Sequence, residues 1–230
     1  MYALQLYLFN TPRQTAFYIL QDFAFLPIQV ALVTVILGRI MNDRSKRVRL
    51  NKINMVIDAF FSEAGTAILI ELSGFAENLE TLKPVLAIKK DWGEADFSKS
   101  VSFLKNVELP MECSPEKLAS LKKLLMDRRD FLLRMLENPN LLEHDLFTDM
   151  LFAVFHITEE LIAREDFFSS SKADIKHLEV DSRRAFRNLV IQWLYHLRYL
   201  CLNYPYLYSL EVRRNPFCTG TGVAFEDEPV

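Results

Sequence analysis

The longest apolar run in the chain covers residues 17–41, FYILQDFAFLPIQVALVTVILGRIM, and it shows no regular alternation of polar positions. No charged side chain lies between Phe23 and Gly38, and extending back to Phe17 adds only Asp22. As a helix, residues 17–38 measure about 33 Å at about 1.5 Å per residue, against a hydrocarbon core of about 30 Å. Ten of the sixteen residues from 23 to 38 are Leu, Ile, Val or Phe, a gain on insertion of roughly 3 to 6 kcal/mol that Pro27 and Gln29 partly offset. The pattern predicts a transmembrane helix over 17–41. Asp22 reaches one interface, and Arg39 snorkels at the other. The competing reading is a buried core helix, which Pro27 and the short charge-free stretch leave open.

Downstream the pattern becomes amphipathic. Residues 53–75, INMVIDAFFSEAGTAILIELSGF, are nearly as apolar but carry Asp58, Glu63 and Glu71, which disfavours a second span. Asp58, Ser62 and Thr66 recur at i, i+4 and i+8 and form one polar stripe, so this helix is expected either in a core or along the inner leaflet. Residues 76–110 are interrupted by Pro84, Gly93 and Pro110; short helices are expected on either side of Pro84 and over 96–106. No run alternates as a strand would. Ser114-Pro115-Glu116 is a helix start, with a cap, a proline at the first position and an acid in the first turn. That helix should run to about 137 on Leu118, Leu121, Leu125, Leu132 and Met135, ending at Asn138-Pro139-Asn140.

A second helix is predicted over about 141–164, with Phe147, Met150, Leu151, Val154, Ile157 and Leu161 on one face. After Ser169-Ser170-Ser171 a third follows over 172–203. Short connections between the three imply antiparallel packing in a bundle. Tyr195, Tyr199, Tyr204, Tyr206 and Tyr208 crowd the end of this helix, where rings at such spacing usually pack, although a contact surface is the other reading.

The expected fold is therefore all-α, one N-terminal transmembrane helix followed by a cytoplasmic helical bundle. Its parts are a short interfacial leader (1–16), the span (17–41), a basic juxtamembrane segment (42–52), a helical domain (53–215) and a loose acidic tail (216–230).

Charge sets the orientation. Arg39, Arg44, Lys46, Arg47, Arg49 and Lys52 crowd the C-terminal side of the span, whereas Arg13 is alone on the other side, and positive charge stays in the cytoplasm. The expected topology has the N-terminus outside the inner membrane and the rest inside. The whole chain carries 27 basic and 30 acidic residues. Outside this basic block the balance is acidic, so the block fits anionic lipid rather than nucleic acid, and no nucleic-acid partner is expected. With 50% hydrophobic residues and few Gly or Pro, the chain should fold. Three dispersed cysteines make neither a disulfide framework nor a zinc cluster.

Phosphate-binding loops, dinucleotide fingerprints, nucleophile elbows and paired-histidine zinc motifs are absent from the sequence. No catalytic residue or cofactor is expected. One constellation can be weighed as a metal site: His156 with Glu159 and Glu160, and His177 with Asp181, at i,i+3 and i,i+4 spacing on neighbouring helices, with His156, Glu160, His177 and Asp181 as the candidate ligands. Helical di-metal sites use Glu-x-x-His pairs, and here the order is reversed, so surface ion pairing is the plainer explanation.

The stretches NMVIDAFFSEAGTAILIELSGF (residues 54–75) and YPYLYSLEVRRNPF (residues 204–217) resemble segments of an uncharacterised family of bacterial single-pass inner-membrane proteins with a cytoplasmic helical domain. The resemblance implies that setting and transfers no catalytic residue. The functional expectation is a membrane-anchored, non-enzymatic interaction, scaffold or regulatory module that binds the bilayer and a protein partner or a second copy. The alternatives are a metal-binding helical-bundle enzyme or sensor, and an accessory subunit of a transporter or channel.

Overall fold

The computed structural model describes residues 2–9, 11–139, 141 and 144–218, and the side chains of all of these except residues 5, 8, 9 and 42–51. Among the described residues every regular element is helical, and the fold is all-α. The one strand-like pairing there is an isolated bridge between Ala76 and Met111, where Glu112 N–H donates to the Phe75 carbonyl at 2.8 Å. The chain divides into two compact units, Met1–Asn51 and Lys52–Val230.

In the first unit, α1 (Tyr2–Phe9) precedes the long helix α2 (Pro12–Phe60). Pro12 sits at the first helical position, where its missing N–H costs nothing. Pro27 lies inside the helix without ending it. The Tyr2 hydroxyl donates to the Asp22 carboxylate and ties the start of α1 to α2. The leader expected over 1–16 thus comprises α1 and the start of α2, and Asp22 has a partner within the chain. Thr15 is buried, its hydroxyl donating to the Thr11 carbonyl at 3.0 Å.

No Gly or Pro occurs between Gly38 and Gly65, so α2 does not stop at residue 41 but continues through the basic segment to Phe60. In the second unit it passes into a π-helical turn, Phe61–Gly65, and then α3 (Thr66–Ser73). A Cβ on Gly65 would lie 2.5 Å from the Phe60 ring, so only glycine lets that ring close over the turn. Ile53, Ile57, Phe60, Ile68, Leu69 and Leu72 are all buried, which places residues 53–75 in the core of this unit.

Then follow α4 (Leu79–Leu86, with Pro84 inside it) and α5 (Glu94–Asn106). α5 starts two residues before the expected 96, because Gly93 N–H donates to Asp96 Oδ2 at 2.9 Å and caps it. α6 (Pro115–Leu136) starts where predicted, with Lys117 N–H donating to Ser114 Oγ at 3.3 Å. α7 (Asp145–Ile162) is shorter than the expected 141–164. His144 takes the cap, its Nδ1 accepting from Phe147 N–H at 3.2 Å. α8 (Lys172–Asn203) and α9 (Pro205–Arg213) complete the unit.

α8 is the axis of this unit. Residues 189–194 are buried without interruption, so that part of the helix is covered on every side, and α3, α5, α7 and α9 all pack on it. Phe60 stacks edge-on against Phe147 at 5.4 Å, and Trp193 against Phe217 at 5.5 Å. Phe217 is buried, so packing extends past the expected boundary at 215, while residues 219–230 of the predicted tail lie outside the described residues. Each large apolar side chain buried this way stabilises the fold by about 1.5–3 kcal/mol.

Candidate functional site

α7 and α8 pack along one another more extensively than any other helix pair, and their shared edge carries the four residues that the i,i+4 spacing singled out. Position and period explain the meeting. His156 and Glu160 occupy successive turns of α7, His177 and Asp181 successive turns of α8, and side chains four apart share a face.

The nitrogen Nε2 of His156 lies 3.2 Å from Asp181 Oδ2, and Nε2 of His177 lies 3.2 Å from the same oxygen. His177 Nε2 is also 3.7 Å from Glu160 Oε2. One ligand atom each from His156, Glu160 and His177 lies within 4.8 Å of the others. Asp181 is 3% exposed, whereas both imidazoles are about half exposed. Although two nitrogens approach Asp181 Oδ2 closely, that oxygen accepts no hydrogen bond of good geometry among the described residues. The imidazole edges therefore crowd this oxygen without aiming N–H groups at it.

Arginines pair with both carboxylates, Arg164 on the same Glu160 oxygen that faces His177. Arg164 Nη1 sits 2.7 Å from Glu160 Oε2, and its Nη2 donates to Asp174 Oδ1 at 2.7 Å, joining the end of α7 to the start of α8. These hydrogen bonds hold the Glu160 and Asp174 carboxyls below the usual carboxylate range and keep Arg164 charged. Arg184 Nη1 lies 3.3 Å from Asp181 Oδ1, which leaves Oδ2 facing the histidines.

A second polar site was not identified from the sequence, although its stripe of Asp58, Ser62 and Thr66 marks one wall. These residues, with Phe61, His196 and Glu211, line a cavity of about 260 Å³ beside the π-helical turn. His196 is 3% exposed, stacks on Phe61 at 5.3 Å, and places Nε2 3.4 Å from Asp58 Oδ1. Hydrogen bonding to His196 lowers the Asp58 carboxyl, whereas burial raises that of Glu211. The signal lay 138 residues away from Asp58 and was invisible to local spacing.

Arg39 and Lys52 are exposed, and the side chains of Arg44, Lys46, Arg47 and Arg49 lie outside the described ones. Tyr204 stacks on Tyr199 and on the exposed Tyr206, and the buried Tyr208 donates its hydroxyl to the Lys89 carbonyl at 2.7 Å. The three cysteines are unpaired, and burial pushes the Cys113 thiol up to about 11, away from a reactive thiolate.

Comparison with known proteins agrees with this division into helical parts. A family model described as the N-terminal helical domain of MJ1433 matches residues 1–41, and one described as the C-terminal helical domain of uncharacterized protein MJ1433 matches residues 49–213. The chain is 38% identical over 229 residues to uncharacterized protein MJ1433 of Methanocaldococcus jannaschii, covering 99% of this chain and 92% of that protein. No solved structure matches. That relative is archaeal, so the bacterial setting expected from the resemblance has no support. With both parts matched and nearly the whole length aligned, the chain belongs to the MJ1433 family of helical-domain proteins.

Proposed function

We propose that this protein is a membrane-tethered helical module of the interaction or regulatory kind. In this reading residues 17–41 span the bilayer with the N-terminus outside. The unit from Lys52 onward works on the cytoplasmic side by binding a protein partner or a second copy. The observation that carries it is the bareness of the helix Pro12–Met41, in whose most apolar 18 residues nothing is buried. Leu20, Phe23, Ile28 and Leu32 are each at least 60% exposed, and an apolar surface of that extent needs a covering. Lipid is the covering that matches its length, and its flanking charges fit the two headgroup regions.

The basic residues Arg39, Arg44, Lys46, Arg47, Arg49 and Lys52 would lie at the anionic inner surface, each contributing about 1 kcal/mol there. Alkaline carbonate washing of membranes tests the tether: the intact chain should stay with the vesicles, and its release into the supernatant would refute the reading. Reporter fusions at residues 12 and 230 test the topology, with the C-terminal reporter expected on the cytoplasmic side. Crosslinking in native membranes, with and without the exposed Phe152 and Phe168 changed to Ser, then asks which chain the second unit touches.

A further inference from the structure

We propose that His156, His177 and Asp181, with Glu160 completing the set, bind one divalent transition-metal ion of the zinc class between α7 and α8. The inference is independent of the membrane tether, since all four residues lie in the second unit.

The first argument is geometric. Ligands 2.0–2.2 Å from a tetrahedral centre are separated from each other by about 3.3–3.6 Å. The observed separations are 3.2 Å from Asp181 Oδ2 to each imidazole and 3.7 Å from His177 to Glu160, three of the six edges of such a tetrahedron, and donor atoms of His156, Glu160 and His177 lie within 4.8 Å of one another. Both imidazoles are about half exposed, so an ion can reach the cluster from solvent.

The second argument is the buried oxygen. A carboxylate oxygen withdrawn from water, approached by two nitrogens and accepting no well-formed hydrogen bond among the described residues, retains lone pairs that a cation would satisfy. In a tetrahedral site the donors point at the centre and not at one another, which is the misalignment seen between Asp181 and the two histidines.

Chemistry then narrows the ion. Two imidazole nitrogens select zinc, cobalt, nickel, copper or iron over magnesium and calcium, which prefer oxygen alone. The reversed order, His before the carboxylate on both helices, departs from the Glu-x-x-His arrangement of two-metal carboxylate bundles and suits a single ion. Arg164 bonds Glu160 Oε2, the oxygen that also faces His177, and Arg184 pairs with Asp181 Oδ1 at 3.3 Å, so both carboxylates are held in place beside the histidines. Binding requires neutral imidazoles and displaces their protons; no electron transfer is involved.

The test uses tag-free, full-length protein in detergent, stripped with a chelator and titrated with Zn²⁺ and with Co²⁺. One equivalent per chain should bind, Co²⁺ should develop the visible absorption of a tetrahedral site, and Zn²⁺ should raise the unfolding temperature. His156→Ala and His177→Ala should each weaken binding by about 100-fold or more and abolish the thermal shift, as should Asp181→Asn. Glu159→Gln, a neighbour on α7 that pairs with Arg129, should leave binding unchanged. Absence of stoichiometric metal in the wild type, or wild-type affinity in both histidine variants, would overturn the proposal. Because the histidines are half exposed, their removal should preserve the helical circular dichroism, so they decide the matter even if Asp181→Asn fails to fold.

Discussion

Two helical segments of this chain are long and apolar enough to cross a bilayer, and their surroundings differ completely. In Pro12–Met41 none of the 18 most apolar residues is buried, whereas in Lys52–Ser73 44% of the corresponding window is. Apolar content does not separate them; the placement of charge does. The first keeps its charges at the ends, with no ionisable group between Phe23 and Gly38. The second spreads Asp58, Glu63 and Glu71 along its length, and the fold supplies partners: His196 for Asp58, and Arg128, 2.6 Å from Glu63. A helix with partnered acids on one side and Phe60, Ile68 and Leu72 on the other has a protein core to enter, whereas a helix that is apolar on all sides does not.

The largest expected effect comes from breaking the packed segment. Phe60 is fully buried against Phe61 and Phe147, so Phe60→Ala should cost about 3–5 kcal/mol and lower the urea midpoint of the second unit sharply. Carbonate extractability should not change. Were Phe60→Ala to release the chain from membranes as well, the two segments would not be doing separate jobs.

The converse substitution attacks the bare segment. Val33→Lys places a charge near its middle, at a cost of about 2.5–3.5 kcal/mol for insertion, and should move much of the protein into the carbonate supernatant. Tryptophan fluorescence during urea unfolding reports on Trp92 and Trp193, both in the second unit, and should give the wild-type midpoint.

How much of this contrast could be read in advance depends on distance along the chain. The start of α6 and both ends of α8 agree with expectation because Ser114-Pro115 and Ser171 act within four residues, as capping does. The meeting of His156, Glu160, His177 and Asp181 was legible too, since two i,i+4 pairs on helices joined by a short turn have few other ways to face. Contacts such as Tyr2 with Asp22, Asp58 with His196, and Phe217 with Trp193 were not, because no local period encodes which distant side chain arrives. The merging of the expected span, basic segment and following helix into α2 was legible in principle, through the missing Gly and Pro between residues 38 and 65.

A smaller effect sharpens the account of why the second segment packs as it does. Gly65→Ala would put a methyl group 2.5–2.9 Å from the rings of Phe60 and Phe61, which are fixed in the core. Overpacking of this kind should cost about 1–3 kcal/mol. Gly38→Ala, where nothing lies within 4 Å, should be neutral or slightly stabilising in the same urea assay.

The smallest effect concerns two acids that line the cavity beside the second segment, Asp58 and Glu211. Hydrogen bonding to His196 holds the Asp58 carboxyl below its ordinary value, so the ionised form favours the folded state. That contribution is present above about pH 4 and disappears as pH falls through the lowered folded value. Glu211, raised by burial on the opposite wall of the same cavity, acts with the other sign: its ionisation opposes folding, and the penalty grows as pH rises past its ordinary range. Asp58→Asn should therefore lower the urea midpoint at pH 7 and lower it less at pH 3. Glu211→Gln should raise it at pH 7 and do little at pH 3. Asp58 is half exposed, so solvent screening keeps its effect within about 1 kcal/mol. Equal shifts at both pH values in either variant would mean that packing, and not charge, sets the stability of this wall.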